Sequence, residues 1–389
     1  MKSIKKILAM LSITTLAFSF TACGGGTSTP NAGATAENTS AAGDPLKVHI
    51  DVEVASMDPQ VAVDGTSFEV LAAVTEGLYS LDADGSAIPA MAVQVEKSED
   101  GLTYTVTLKD AKWSNGTPVT ANDFVFAWRR LVDPKTASEY AFMGGIAGLK
   151  NADDISAGKV SPDQLGVTAK DDKTLVIELD TPVPFFESLM AFPSFFPVNE
   201  EFYNKCGDKF ATTVDTILCN GAFKVASYEP AATTINLEKN TNYWDADKVQ
   251  LSGIQYQVIK DSQQAMLAYQ NGDLDVATLS GEQVEQFQAD PEFQSIMAGY
   301  LWYISPNLKT PGLENENLRK ALALSYDKDA IVNNILKDGS IKADFAVPTL
   351  LATGPDGKDF RDGTDTYLST DKAKALEYYD KADRKSTRL

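Results

Sequence analysis

Between residues 45 and 380 the apolar residues change period again and again, and no stretch repeats another. That switching constrains the fold most, because period two buries one face of a strand and period 3.6 buries one face of a helix. Leu46, Val48, Ile50, Val52 and Val54 alternate, so Pro45 to Val54 is predicted as an opening strand. Ser67 to Leu78 has helical spacing and ends near Gly77, and Leu81 to Gly85 has turn composition. Ala92 to Glu96 and Thr103 to Leu108 alternate on either side of Glu99-Asp100-Gly101, which predicts a β-hairpin. Thr120 followed three residues later by Asp123 has the form of a capping box, so a helix is expected through Leu131. Further strands are predicted at 175–179, 221–228, 234–238, 254–259, 274–278 and 300–304, and helices at 184–190, 262–270, 282–288, 318–326, 328–336 and 371–379. Such a mixture without a repeat belongs to an α/β or α+β protein.

One apolar run stands apart. After Lys2, Lys5 and Lys6, residues 7–20 are apolar apart from small hydroxyl residues, too short to span a hydrocarbon core that needs about 20. A basic start, a short apolar run and small residues at its end make a signal peptide over residues 1–22. Phe20-Thr21-Ala22-Cys23 resembles a bacterial lipobox, with Phe20 where leucine is usual. The expectation is cleavage before Cys23 and lipid, including palmitate, on its thiol. Residues 23–43, rich in Gly, Ser, Thr, Ala and Asn, are expected to be a lipid-anchored tether.

No second long apolar run follows, and the chain carries a net charge of −20. Such acidity disfavours nucleic acid and anionic lipid headgroups as partners, and no basic stripe offsets it. A length of 389 residues suggests two or three domains. Beyond Cys23 there are two cysteines, Cys206 and Cys219; outside the cytoplasm they are either disulfide-bonded or two buried thiols, and spacing does not decide between them.

Catalytic signals are sparse. His49, the one histidine, lies in the opening strand and is read as structural. Neither Gly-x-Ser-x-Gly, His-Glu-x-x-His, a P-loop nor a calcium-loop pattern occurs, so no cofactor or metal is expected. The 54 acidic residues offer too many carboxylate pairs for any one to signal a hydrolase.

Four stretches together resemble the oligopeptide-binding proteins of bacterial ABC importers, solute-binding family 5. They are Ser56-Met57-Asp58-Pro59 with Glu76-Gly77-Leu78-Tyr79; Asp100 to Thr105 through Trp113 to Phe124; Asn220-Gly221-Ala222-Phe223-Lys224 through Asn240 to Trp244; and Leu318 to Leu322 through Asp327 to Ile331. Leu165-Gly166-Val167 is closer to the oligopeptide branch than to the nickel or dipeptide branches. The turn, cap and aromatic residues of these motifs are read as fold residues.

The resemblance implies a two-lobed periplasmic-binding-protein-like fold whose hinged cleft holds an extended peptide by main-chain hydrogen bonds. Lobe one would cover residues 44–299, with an inserted subdomain at about 80–205; residues 300–382 would begin lobe two, ahead of an atypical tail at 383–389. By position, Val63, Asp64 and Gly65 would form one wall of the site, or else an ordinary strand-to-helix loop. Trp302 and Tyr303 would line the cleft, or else pack in a core. Implied partners are an oligopeptide and the permease subunits of an importer. The protein would be a monomer held by its lipid on the extracytoplasmic face of the cell membrane, at a Gram-positive surface. Nickel, haem or sugar binding and peptide sensing are the alternatives, with an exported hydrolase behind them. The family's Trp-x-x-Asp segment, which pairs with a peptide's amino group, finds no match here, and residues 383–389 are basic. The expectation is therefore a truncated or frame-shifted end, an incomplete second lobe and peptide binding that is weak or absent.

Overall fold

The computed structural model describes residues 43–382 apart from 83, 84, 298, 350, 355 and 365. The signal segment, Cys23, the tether up to residue 42 and the tail at 383–389 lie outside the described residues. The rest forms two compact units that part between Thr278 and Leu279, whereas lobe one was expected to run to residue 299.

The first unit opens with β1 (Leu46–Ile50), then α1 (Gly65–Val74) and a small hairpin of β2 (Tyr79–Leu81) and β3 (Ala87–Pro89). There follow β4 (Ala92–Lys97), β5 (Thr103–Leu108), α2 (Ala121–Val132), α3 (Met143–Ile146) and α4 (Ala152–Ser156). Next come β6 (Val167–Asp171), β7 (Thr174–Glu178), α5 (Phe186–Leu189) and α6 (Glu200–Cys206). The unit closes with β8 (Phe223–Ser227), β9 (Thr234–Lys239), β10 (Gly253–Val258) and α7 (Ser262–Gln270).

These strands make two separate four-stranded sheets. In the order β4-β5-β7-β6 every neighbour is antiparallel. Tyr104, Val106 and Leu108 of β5 turn inward as their alternation requires, under the faces of α2 that carry Phe124, Trp128 and Leu131. Burying each such side chain stabilises the fold by about 1.5–3 kcal/mol. The β4–β5 turn needs Gly101 at φ +70°, where a side chain would be strained. Asp123 reaches back from the first turn of α2 to accept from Thr120 N (2.9 Å), which starts that helix where the sequence placed it.

The other sheet has the order β1-β10-β9-β8, with β1 parallel to β10 in register Leu46↔Ile254. Its inner face, including Phe223, Ile235, Leu237 and Tyr256, packs in one core with Val70, Leu71 and Val74 of α1. His49 is buried in β1: its Nε2 lies 2.8 Å from Ile259 O and its Nδ1 accepts from Thr278 N at 3.3 Å. It is a structural residue, as expected. The strand expected at 274–278 reduces to a single parallel bridge, Val276 to Val48, on the edge of β1 away from β10, where the Asp275 carboxylate rather than a backbone carbonyl takes the Lys47 N–H (2.8 Å).

The second unit holds α8 (Gly281–Phe287), α9 (Glu316–Ser325), α10 (Lys328–Ala330), a π turn at Ile331–Leu336, and α11 (Lys372–Lys381). Helices α9 and α11 pack together. Lys328 and Asp344 form an ion pair of 3.0 Å with both side chains at least nine-tenths buried, and Lys328 Nζ also donates to Leu368 O. The aromatic strand expected at 300–304 is not formed. Tyr300, Trp302, Tyr303 and Ile304 are all exposed, and a strand-favouring aromatic composition makes a strand only where a neighbouring edge supplies hydrogen bonds.

Candidate ligand-binding segment

The loop between β1 and α1 is tightly built. Met57, Pro59, Gln60 and Ala62 are buried, while Val61 and Val63 point outward at about 40 % exposure. Asp58 O accepts from Val61 N (3.0 Å) and Ala62 N (2.9 Å), closing a turn. The Asp58 carboxylate takes two hydrogen bonds from Arg130 of α2, at 2.7 and 3.2 Å. Arg130 also donates to Gln60 Oε1 (2.8 Å), and Gln60 Nε2 donates to Ser194 O (3.2 Å) and Phe196 O (3.0 Å). The guanidinium lies 4.2 Å from the Tyr203 ring centroid. A bidentate pair, stacked and out of water, holds the loop against α2, α6 and the 194–196 turn.

At the loop's end Asp64 caps α1. Its Oδ1 accepts from Ser67 N (2.8 Å) and its Oδ2 from Ser67 Oγ (2.6 Å). Its own backbone is extended, at φ −114° and ψ 154°. Val63, just before it, has neither its N–H nor its C=O in a hydrogen bond among the described residues. The structure thus places Val63 and Asp64 at the end of one firmly held loop and Gly65 at the first position of α1, and it leaves main-chain hydrogen-bonding capacity at the exposed Val63.

Three of the four motif stretches meet elsewhere, around Glu76. Its carboxylate accepts from Tyr243 OH (3.1 Å) and Trp244 Nε1 (2.6 Å), while Lys109 Nζ stands 3.3 Å from the Trp244 ring centroid. Burial raises the Glu76 pKa, against the opposing pull of Trp244, Lys109 and Tyr243. Asn220 pairs with the Glu76 backbone twice, at 3.0 Å each way. A Cβ on Gly221 would sit 2.7 Å from the Val74 carbonyl carbon, so that motif glycine permits a close backbone approach. Trp113 Nε1 donates to Asp123 (3.0 Å), and burial pushes Asp123 up to about 6. These motif residues hold the fold together, and none of them is free to act as an exposed ligand group. A cavity behind Met57, Leu71 and Trp113 holds about 20 Å³, space for one water at most.

Trp302 and Tyr303 lie in the second unit, in a segment without regular structure, at 89 % and 76 % exposure. Among the described residues they pack in no core. Cys206 and Cys219 are both free thiols, the first half-buried at the end of α6 and the second buried. Among the described residues no group of three or more His, Cys, Asp or Glu comes together as a metal site, and no helix is long and apolar enough to cross a membrane.

Comparison with known proteins settles the family. The model of the bacterial extracellular solute-binding proteins, family 5, matches residues 86–387. The chain belongs to that family. Similar relatives are the dipeptide-binding protein DppE of Bacillus subtilis, 33 % identical over 383 residues, and the oligopeptide-binding protein OppA of the same organism, 36 % identical over 390. Each alignment covers 98 % of this chain and 69 % of the relative. The structure of Listeria monocytogenes OppA bound to peptide superposes with a TM-score of 0.80 at 35 % identity, over 87 % of this chain and 68 % of the other. The mixed fold is therefore the oligopeptide-binding-protein type of periplasmic binding protein, as the resemblance implied. The family is one of solute-binding proteins and not of enzymes, which removes the hydrolase alternative.

Arg130, Gln60 and Ser67 were not singled out from sequence. Arg130 sits in a motif-flanked helix, but no spacing rule links it to Asp58, 72 positions away.

Proposed function

We propose that this protein captures oligopeptides outside the cytoplasm and delivers them to the permease of an ABC importer. The observation that carries this is Val63: an exposed residue whose N–H and C=O are in no hydrogen bond among the described residues, beside the extended backbone of Asp64, on a loop pinned by buried side chains. Such a segment can accept a peptide as an added strand, which gives affinity without reading side chains. Val63, Asp64 and Gly65 are assigned to peptide main chain, and Trp302 and Tyr303 to side chains through their aromatic faces. Relatives named as oligopeptide- and dipeptide-binding proteins, one of them solved with peptide, support the ligand class. The signal segment and Cys23 support a lipid anchor on the extracytoplasmic face of a membrane, and the anchored protein is proposed to be a monomer at a Gram-positive surface.

Calorimetric titration of the full chain with mixed tri- to pentapeptides tests the ligand class. Saturable binding is required, and Val63→Pro, which deletes one N–H, should weaken it about tenfold. A wild-type protein that binds none of these peptides, or a Val63→Pro protein that binds as well as wild type, refutes the assignment. Incorporation of labelled palmitate, abolished by Cys23→Ser, tests the anchor.

A further inference from the structure

We infer that Ser67 is a positioning residue for the peptide site: its buried hydroxyl ties together the two ends of the 55–64 loop and so sets how Val63 is presented. This rests on the peptide-binding assignment of Val63. Ser67 has no exposed surface at all. Its Oγ accepts from Ala55 N and from Ser56 N, both at 3.1 Å, and donates to Asp64 Oδ2 at 2.6 Å. A hydroxyl has one donor and two acceptor sites, and here every one is spent on the loop. Ala55 and Ser56 lie five and six residues past the end of β1, and Asp64 lies where the chain enters α1. One side chain therefore closes the loop as a ring, with Asp58 and Arg130 bracing its middle.

The consequence belongs to binding more than to stability. Ala55 is exposed and Ser56 half-buried, so water can satisfy their N–H groups if the hydroxyl is removed. The fold then survives, but the loop samples more conformations, and a peptide must order it again on binding. A segment that binds through its main chain has no side-chain contacts to compensate for a misplaced N–H.

The test uses the full chain and a mixed tri- to pentapeptide library. Ser67→Ala should bind about tenfold more weakly than wild type. The amides of Ala55 and Ser56 should exchange with solvent faster in the unliganded variant, a local change that a general loss of stability would not confine to those two. Asn240→Ala is the control: it removes a buried hydrogen bond to Gly221 O in the same unit and should leave affinity within about twofold. Ser67→Ala affinity within about twofold of wild type overturns the inference, as does an equal loss in Asn240→Ala. Should Ser67→Ala fail to fold, Asp64→Asn decides, because it keeps an oxygen for Ser67 N but takes away one acceptor of the ring. It should also weaken binding about tenfold, and unchanged affinity overturns the inference. A wild-type protein that binds no peptide refutes the binding assignment before any substitution is made, and this inference with it.

Discussion

Replacing Arg130 by Met should destabilise the first unit by about 3–5 kcal/mol, the usual cost of leaving one partner of a buried pair uncompensated. The structure puts the case at the buried end of the range. The side chains of Arg130 and Asp58 are 10 % and 13 % exposed, so solvent screens little of the interaction. Methionine fills much of the arginine stem's volume, which keeps the cavity term small. What is lost is both hydrogen bonds to Asp58, the bond to Gln60 Oε1 and the cation over Tyr203. Among the described residues the Asp58 carboxylate then keeps only the Gln60 N–H as a donor. For a unit of this size each kcal/mol moves the midpoint by about 2–4 °C, so a drop of about 10 °C is expected. Urea unfolding followed by tryptophan fluorescence is a suitable assay, because Trp113, Trp128 and Trp244 report on the first unit and only Trp302 on the second. Asp58→Asn combined with Arg130→Met should recover about 2 kcal/mol of the loss, since the stranded charge is gone. A loss below about 1 kcal/mol in Arg130→Met, or no recovery in the double variant, would show that this pair behaves like a surface ion pair and that the reasoning is wrong.

Other consequences are as direct. Burial raises Asp123 to about 6 from an ordinary 3.8, so the folded protein holds more protons than the unfolded chain between those values. Its contribution to stability is therefore present at acid pH and lost as pH rises through about 4 to 6, by about 3 kcal/mol, and Asp123→Asn should flatten that part of the profile. A wild-type-minus-variant difference that is constant with pH would refute it. In the second unit Lys328→Met strands Asp344 and releases Leu368 O, so limited proteolysis should open the 343–370 segment while the first unit's unfolding is unchanged. Burial also lifts the Cys219 thiol to about 12, so alkylation at pH 8 followed by peptide mapping should label Cys206 first and Cys219 only on unfolding. Equal labelling rates, or no label at either, would contradict the structure.

Much was legible without coordinates where the signal is local. The alternation of Tyr104, Val106 and Leu108, the Asp100-Gly101 turn and the Thr120 to Asp123 cap all depend on residues within a few positions, and each element forms where it was expected. The strand at 300–304 failed for the opposite reason. Aromatic composition states only that the segment would suit a sheet, and whether an edge is available to pair is settled elsewhere in the chain. Val63, Asp64 and Gly65 were placed by resemblance, and the sequence had no means of showing that the loop is pinned by Arg130 or closed by Ser67. What the amino-acid order determined by itself was the class of elements, their caps and turns, and the family to which the motifs point. Only the tertiary structure decided which partners hold the motif residues in the fold and which main chain is left unpaired. Hydrogen bonds between Asp58 and Arg130, or Glu76 and Trp244, form across scores of residues, and no period or spacing records them.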